Sequence, residues 1–280
     1  MALLWIGLAT TAMADDGQCL IKFDTGAVNW RTGNIHVTGK AAPVVGPDGN
    51  PVSMPGLAKT HAIRNIIATL KQIRITPDLT VGEYASTNDV ILAGIEKTAQ
   101  DATITRKLYT SAMDVEMEMT ANFLGGFLQL VLPDHIRQIP KISDQTPKAG
   151  EMRPVAFPIG RAPYSGLVID ARGLDFAPIL YPTIVEEQGK EVYSSVFVSR
   201  EFAVQHGVVT YSCQMSSALS FDRIGTNPLV LKALRRGKDK TGALVVSLAD
   251  AKILEKATER HKFLKECRVV IVTDAAILAD

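Results

Sequence analysis

Three side chains that follow a predicted strand are the most concentrated group able to do chemistry: Asp170, Arg172 and Asp175. The apolar run at 167–169 just before them predicts a buried strand. Two carboxylates and a guanidinium at a strand end could bind a cation or a small polar ligand. The sequence favours a structural turn held by a side-chain cap and an Asp–Arg ion pair, because a hard cation needs more oxygen ligands than two carboxylates supply. Both interpretations stay open at this point.

The rest of the sequence contains no recognisable catalytic or metal-binding pattern. The serines form no GxSxG nucleophile motif, and the cysteines form no CxxC pair. The five histidines show no HExxH spacing; they are His36, His61, His135, His206 and His261. We therefore expect no catalytic residues, no metal site and no cofactor, and we do not expect an enzyme.

The cysteine count limits the disulfide chemistry that is available. Cys19, Cys213 and Cys267 are the three cysteines, so at least one thiol is left over within a monomer. An exported chain meets an oxidising compartment, where a disulfide between two of them is allowed. Burial of all three as small apolar side chains is the simpler interpretation, and the sequence does not decide between the two.

The composition predicts a packed globular protein. Of the 280 residues, 46% are hydrophobic and 21% are charged, which provides enough apolar side chains for a core. The formal net charge of +1 removes any electrostatic case for a nucleic-acid partner. Past the N-terminus, no run of residues is long and apolar enough to predict a transmembrane span.

The N-terminus has the pattern of a signal peptide. Residues 3–12 form an apolar run that is too short to span a bilayer, and Ala12-Met13-Ala14 has the small-x-small spacing of a signal-peptidase site. We expect residues 1–14 to be removed, so that the mature chain starts at Asp15. This pattern predicts an exported protein that is periplasmic or associated with the outer membrane.

Hydrophobic periodicity predicts the elements of the first half. A strand at 34–41 precedes a helix from about Leu57 to Ile73. Ser86 or Thr87 is expected to cap a second helix. Strict alternation over 114–123 predicts a strand with one wet face. The first helix should bury one face, made of Ile63, Ile66, Ile67, Leu70 and Ile73.

The second half is predicted to be rich in strands. A hairpin should turn at Gly189, and a strand at 228–234 should run into a second hairpin. Ser247 and Asp250 form a capping box that opens a helix to about Lys265, before a buried strand at 268–272. The tip of the second hairpin should carry a basic cluster, made of Arg235, Arg236, Lys238 and Lys240.

A proline-rich stretch separates the two halves. The prolines between 133 and 163 predict a domain boundary near Gly150. The sequence therefore predicts an α+β protein of two small domains, at 15–150 and 151–280. Each domain should have a mostly antiparallel or mixed sheet with one or two packed helices.

The first half resembles a known family of envelope proteins. The strand Val37-Thr38-Gly39-Lys40-Ala41, the alanines and isoleucines of the following helix, a second helix and the strand at 114–123 carry this resemblance. The pattern resembles the LPP-20-type outer-membrane lipoprotein domain and the related flagellar envelope proteins FlgP and FlgT. Three segments of the second half are similar to exported bacterial proteins that carry this domain: SGLVIDARGL, PTIVEEQGKEVY and FLKECRVVIV.

The resemblance implies an envelope protein, often oligomeric, and it transfers no catalytic residue. The residues before Cys19 are not a lipobox, so a lipid anchor is not implied. We expect an exported bacterial envelope protein, of the kind associated with the flagellum, that acts by protein–protein assembly with other envelope proteins and as a homo-oligomer. Several predicted strands could offer edges to a partner. The alternative is an envelope hydrolase or a small-ligand or cation-binding protein that uses the turn from Asp170 to Asp175.

Overall fold

The computed structural model describes residues 19–133, 136, 164–237, 242–260 and 262–274. The signal peptide predicted at 1–14, the boundary near Gly150, Lys238, Lys240 and His261 lie outside the described residues. The elements of the first half are β1 (Leu20–Phe23), β2 (Gly26–Asn29), β3 (Asn34–Ala41), β4 (Val44–Val45), β5 (Pro51–Val52), α1 (Pro55–Gln72), β6 (Arg74–Thr76), β7 (Leu79–Thr80), α2 (Val81–Ala85), α3 (Asp89–Gln100), β8 (Thr103–Tyr109), β9 (Val115–Asn122) and α4 (Gly126–Val131).

The described residues of the second half form eleven further strands and helices and two short 3-10 turns, at Ser195–Phe197 and Asp222–Ile224. They are β10 (Gly166–Asp170), β11 (Thr183–Glu186), β12 (Glu191–Tyr193), α5 (Arg200–His206), β13 (Thr210–Ser212), α6 (Met215–Leu219), β14 (Pro228–Lys232), β15 (Arg235–Arg236), β16 (Ala243–Val246), α7 (Leu248–Arg260) and β17 (Val269–Val272). Helices and several small sheets are thus mixed along the chain, which confirms the predicted α+β class.

The first half is built on a five-stranded antiparallel sheet with α1 packed against one face. The strand order is β1-β2-β3-β9-β8. In β9 every second residue is buried, as the alternation in the sequence predicted. Helix and sheet approach closely at Gly39, where a Cβ would lie 2.1 Å from the carbonyl oxygen of Ala58 and 2.4 Å from the amide nitrogen of Ala62. Only a residue without a side chain fits between β3 and α1 at that point.

Two four-stranded sheets form the second half. One is parallel throughout, in the order β13-β17-β10-β14. The other is mixed, in the order β12-β11-β16-β15, with β11 parallel to β16. The central strands β10 and β17 are buried on both faces, which explains their continuous apolar runs. The satellite cluster that contains Val168, Val270 and Phe221 covers one face of the parallel sheet, and the main core covers the other.

Several local predictions are corrected in the first half. The second long helix, α3, is capped by Asn88, whose side chain accepts from the Val90 and Ile91 amides, and not by Ser86 or Thr87. The preceding residues form the additional short helix α2, opened by a capping box at Thr80. Of the predicted apolar face of α1, Ile66, Leu70 and Ile73 are buried, whereas Ile63 and Ile67 are only partly buried. The close approach to β3 adds the small residues Ala58 and Ala62 to the buried face.

Strand membership differs from expectation in the second half. The hairpin at Gly189 is present as β11 and β12. The strand β14 joins the parallel sheet beside β10, so the hairpin partner of β16 is the short strand β15. The side-chain cap at Ser247 is confirmed: its hydroxyl accepts from the Asp250 amide at 3.0 Å and donates to the Asp250 carboxylate at 2.8 Å.

One hydrophobic core includes residues of both halves. Trp30, at the end of the β1–β2 hairpin, packs edge-on against Phe123 at a centroid distance of 5.8 Å and against Tyr211 at 5.5 Å. Arg31 lies 4.3 Å from the ring centroid of Phe221, a cation–π contact between the halves. The two parts of the chain therefore stabilise each other through a shared interior.

The three cysteines are buried thiols, at Cys19, Cys213 and Cys267. Their burial agrees with the simpler interpretation of the sequence. Among the described residues, no helix combines the length and the apolar character needed to cross a membrane.

Candidate functional site

The predicted turn starts at the carboxyl end of the buried parallel strand β10. Asp170 is paired in register with Val272 of β17 on one side and Lys232 of β14 on the other. The carboxyl edge of a parallel sheet is the place where ligands commonly bind in α/β folds. The position of Asp170 is therefore compatible with either interpretation of the sequence.

The structure brings Asp170 and Arg172 together as a two-point ion pair. The Arg172 Nε and Nη2 atoms each donate to one Asp170 carboxylate oxygen at 2.8 Å, and the Arg172 amide donates to Oδ1 at 3.2 Å. The hydrogen bond from Arg172 holds the pKa of Asp170 below its ordinary value. Both carboxylate oxygens are thus engaged within the turn, which is the arrangement of a structural cap.

Asp175 is directed away from this pair. Its backbone is left-handed, with φ of 52°, and its carbonyl oxygen accepts from Arg236 Nη1 at 2.8 Å. The Asp175 carboxylate lies 3.8 Å from the same nitrogen. The Gly173 amide, in the middle of the turn, donates to the carboxylate of Asp274 at 2.8 Å. No group of three or more His, Cys, Asp or Glu side chains that could hold a metal occurs within the described parts of the chain.

A cleft that the sequence did not reveal lies at one end of the five-stranded sheet. It encloses about 770 Å³ between the sheet and the helices α3 and α4. Its sheet wall is made of amide, hydroxyl and imidazole side chains, and its helix wall includes Phe127 and Leu130. The sheet wall contains Asn34, His36, Thr103, Thr105, Thr120 and Asn122.

His36 is the lining residue of this cleft whose side chain could most readily take part in proton transfer or ligand binding. Its Nδ1 lies 3.0 Å from the Thr120 hydroxyl across the β3–β9 pair. A catalytic histidine is usually oriented by a carboxylate, whereas this hydrogen bond goes to a neutral hydroxyl. The arrangement suits binding of a neutral polar group better than proton transfer. The signal in the sequence was the polar half of the β3 and β9 alternation, which indicates a wet face but not a cleft.

The edge strand β8 is the second surface of interest, and the sequence did not predict this strand. It is paired with β9 alone and is exposed at Thr103, Thr105, Arg106, Lys107 and Tyr109. The part of β3 that extends past its pairing with β2, residues 37–41, is covered by contrast. There the Asn65 side chain of α1 donates to the Thr38 carbonyl at 2.8 Å, and the His61 ring contacts the backbone of Lys40 at 3.1 Å. The β3 backbone that β2 leaves unpaired is thus bonded to side chains of α1, whereas the outer side of β8 has no neighbouring strand among the described residues.

Exposed apolar side chains gather at the end of the sheet where β8 stops. Tyr109 of β8 and Ala41 of β3 both pair with Val115, so the β4–β5 hairpin that follows β3 begins at this same end. We call this surface the apolar sheet end. Its members have exposed fractions from 44% to 80% and are Val44, Val45, Val52, Leu57, Tyr109 and Met113. Apolar residues gathered in this way mark interaction surfaces more often than scattered ones do.

A buried guanidinium organises the interior of the second half. Arg223 donates to the backbone oxygens of His206 and Gly207 at 2.6 and 2.7 Å and also to Cys267 O and the Thr210 hydroxyl. Burial lowers the pKa of Arg223 and raises the pKa of the Cys267 thiol to about 12. A thiol in that state is not nucleophilic at neutral pH, so this cluster is structural.

Comparison with known proteins relates the second half to one bacterial domain. A family model described as the second domain of Treponema pallidum Tp0624 matches residues 166–275. The matched stretch begins at β10 and ends just after β17, so it contains both sheets of the second half, the Asp170 turn and the Arg223 cluster. No curated protein matches this chain. The second half is therefore similar to a domain of a bacterial protein, and the match covers less than half of the chain.

Proposed function

We propose that this chain is an exported bacterial envelope protein that acts by protein–protein assembly, with β8 and the apolar sheet end as its contact surface. The observation that carries the proposal is the coincidence of an open strand edge with exposed apolar side chains at one end of the sheet. An open edge supplies unpaired backbone donors and acceptors, and neighbouring apolar side chains supply burial. The LPP-20-type and flagellar resemblance of the first half is the ground for proposing an envelope role, and the match of the second half supports a bacterial protein.

The charges of β8 indicate which partner suits this edge. Arg106 and Lys107 lie at the middle of the strand, so an antiparallel pair of two β8 strands would place like charges opposite each other. That arrangement disfavours a symmetric dimer through β8. A homo-oligomer would use β8 against a different surface of the next copy, which produces a ring or a filament. A strand with acidic residues at its middle and apolar residues at one end fits the edge best.

Site-specific photo-crosslinking tests this surface directly. A photoreactive residue at position 45, whose natural valine is 80% exposed, should form adducts with a partner or a second copy in intact cells of the native host. The matched control is position 253, where an isoleucine on α7 is 43% exposed but lies away from the sheet end. Adducts of equal yield at both positions, or none at position 45, would refute the assignment.

Reversal of one positive charge on β8 is the second test of the proposed contact surface. Lys107→Glu should weaken assembly, measured as the mass of the particle in solution or as loss of the crosslink at position 45. Lys252→Glu, on the exposed side of α7 in the second half, changes the net charge equally and should leave assembly intact. A monomeric chain that forms no crosslinks in the envelope would contradict the proposal.

The alternative function, a ligand- or cation-binding protein or hydrolase at the Asp170 turn, requires a rearrangement. Asp170 would have to release Arg172 before its carboxylate could bind a cation or activate a water molecule. Titration with calcium or magnesium decides this point. A large metal-dependent rise in melting temperature that Asp170→Asn abolishes would favour the alternative over assembly.

A further inference from the structure

A small cavity with two arginines opens where the two halves meet. It encloses about 280 Å³ and lies between the β6 region of the first half and β15 and β16 of the second. Its apolar wall includes Pro77, Phe176 and Ile179. The charged side chains that line it are Arg74 and Arg236, and the cavity has no acidic lining residue among those described.

Each guanidinium is fixed by one backbone carbonyl. Arg74 Nη1 donates to the Pro77 carbonyl at 2.7 Å, and Arg236 Nη1 donates to the Asp175 carbonyl at 2.8 Å. The left-handed conformation of Asp175 presents that carbonyl to Arg236. These bonds orient both side chains while using one of the several N–H donors that each guanidinium carries. Among the described residues, no other hydrogen-bond acceptor engages the remaining donors, which suit an oxyanion, the group that arginine binds with the best geometry.

Two carboxylates outside the cavity act on these arginines without neutralising the site. The Asp175 carboxylate is 3.8 Å from Arg236, and both side chains are more than half exposed, so this pair is weak. Glu83 interacts with Arg74, but the Glu83 carboxylate accepts from the Thr80 amide at 2.7 Å and the Thr80 hydroxyl at 2.9 Å in the cap of α2. Two like charges therefore line one small cavity, an arrangement that an anion would stabilise.

We propose that this cavity binds a small organic oxyanion, a carboxylate or a phosphate ester with a compact apolar body, held between Arg74 and Arg236. The guanidinium groups bind the charged end, and the apolar wall takes the body. The site explains part of the basic cluster in the sequence, since Arg236 belongs to it. In this site the Asp175 backbone carbonyl orients Arg236, whereas the sequence suggested the Asp175 carboxylate as a ligand-binding group.

Binding at this site should tighten the junction between the halves. Arg74 belongs to the first half and Arg236 to the second, and the Leu180 amide already donates to the Arg74 carbonyl at 3.0 Å. A ligand that contacts both arginines adds a bridge across that junction. Because the ligand binds only the folded chain, saturating concentrations should raise the melting temperature.

Calorimetric titration of the full chain with phenyl phosphate, benzoate and neutral benzamide tests the proposal. At about 0.15 M salt, which screens non-specific contacts, at least one of the two anions should bind saturably and benzamide should not. Comparison of phenyl phosphate with benzoate decides whether the site prefers phosphate or carboxylate. Inorganic phosphate should bind more weakly than phenyl phosphate, because it leaves the apolar wall unused.

Matched arginine variants locate the binding. Arg74→Gln and Arg236→Gln should each weaken anion binding by about tenfold or more, the effect of losing a charge-assisted hydrogen bond. Arg235→Gln is the control, because adjacent strand residues face opposite sides of a sheet and Arg235 does not line the cavity. Melting curves without ligand show that the variants fold. Equal weakening in Arg235→Gln, equal binding of benzamide, or no saturable binding would overturn the proposal.

Discussion

Replacement of Gly39 by alanine tests the central packing contact of the first half. The added Cβ would lie 2.1 Å from the Ala58 carbonyl oxygen and 2.4 Å from the Ala62 amide nitrogen, both backbone atoms of α1. A rotamer change cannot relieve a clash with backbone, so α1 has to move away from β3 by about 1 Å to restore ordinary contact.

The expected loss of stability follows from this displacement of α1. Overpacking of a close-packed contact costs about 1–3 kcal/mol. A shift of α1 would also stretch the 2.8 Å hydrogen bond from Asn65 to the Thr38 carbonyl, worth about 1 kcal/mol. We therefore expect Gly39→Ala to lower the free energy of unfolding by about 2–4 kcal/mol. Urea denaturation followed by circular dichroism measures this as a lower midpoint with an unchanged slope.

Gly56 provides the control for this substitution. It lies in the first turn of α1, and a Cβ there would meet no atom within 4 Å. Gly56→Ala should be neutral or stabilise the protein by up to about 1 kcal/mol, because alanine restricts the unfolded chain and favours helix. If Gly39→Ala costs less than about 1 kcal/mol, or no more than Gly56→Ala, the described approach of helix to sheet is wrong.

Four further outcomes are expected. Protein recovered from its native host should begin at or near Asp15 by mass spectrometry, and retention of Met1 would contradict export. Ile66→Ala should cost about 2–5 kcal/mol in denaturant unfolding because Ile66 is fully buried, and the half-buried Ile67→Ala should cost clearly less. Arg223→Met should cost about 1–3 kcal/mol by the same measurement, since the buried Gly207 carbonyl loses its donor; a near-neutral value would show that water replaces the guanidinium. Asp170→Asn should lower the stability at pH 7, and the difference in melting temperature from the natural protein should shrink as the pH falls below 3.8. The reason is that the pKa of Asp170 is lower in the folded than in the unfolded chain, so the ionised carboxylate stabilises the fold above the unfolded pKa and this stabilisation is lost when the folded protein takes up the proton. A gap that stays constant in thermal melts across that pH range would remove the ion pair as the cause.

The sequence predicted those helices and strands whose signal lies within a few neighbouring residues. The alternation around Met117 and Met119 identifies β9, because one face of that strand packs under α1 and the other meets solvent. The capping box at Ser247 identifies the start of α7 for the same reason, since its hydrogen bonds form within four residues.

Features that depend on distant neighbours could not be predicted in this way. The strand β8 has no clear alternation, because as an edge strand it is exposed on much of both faces. The pairing of β14 with β10, and the separation of β14 from the hairpin of β15 and β16, is set by packing across the sheet and not by turn residues. The two-arginine cavity joins Arg74 to Arg236, two positions that no spacing rule connects.

The turn from Asp170 to Asp175 contains one contact that the sequence could predict and others that it could not. Asp170 and Arg172 are two residues apart, so their ion pair could be foreseen from the sequence. The bond from Gly173 to Asp274 and the carbonyl of Asp175 beside Arg236 join positions from distant parts of the chain, and they became visible only in the fold.

The packing of Trp30 against Tyr211 has a consequence for how this protein matures. Trp30 leaves the ribosome, or an export channel, long before the strand that carries Tyr211. Until that strand arrives, the β1–β2 hairpin has no completed surface for its indole, and the nascent first half exposes a large aromatic side chain. Contacts of such long range form slowly and leave aggregation-prone intermediates. We expect release of the first half alone, as a truncated product, to yield a chaperone-dependent or insoluble fragment, while co-expression with the second half restores solubility.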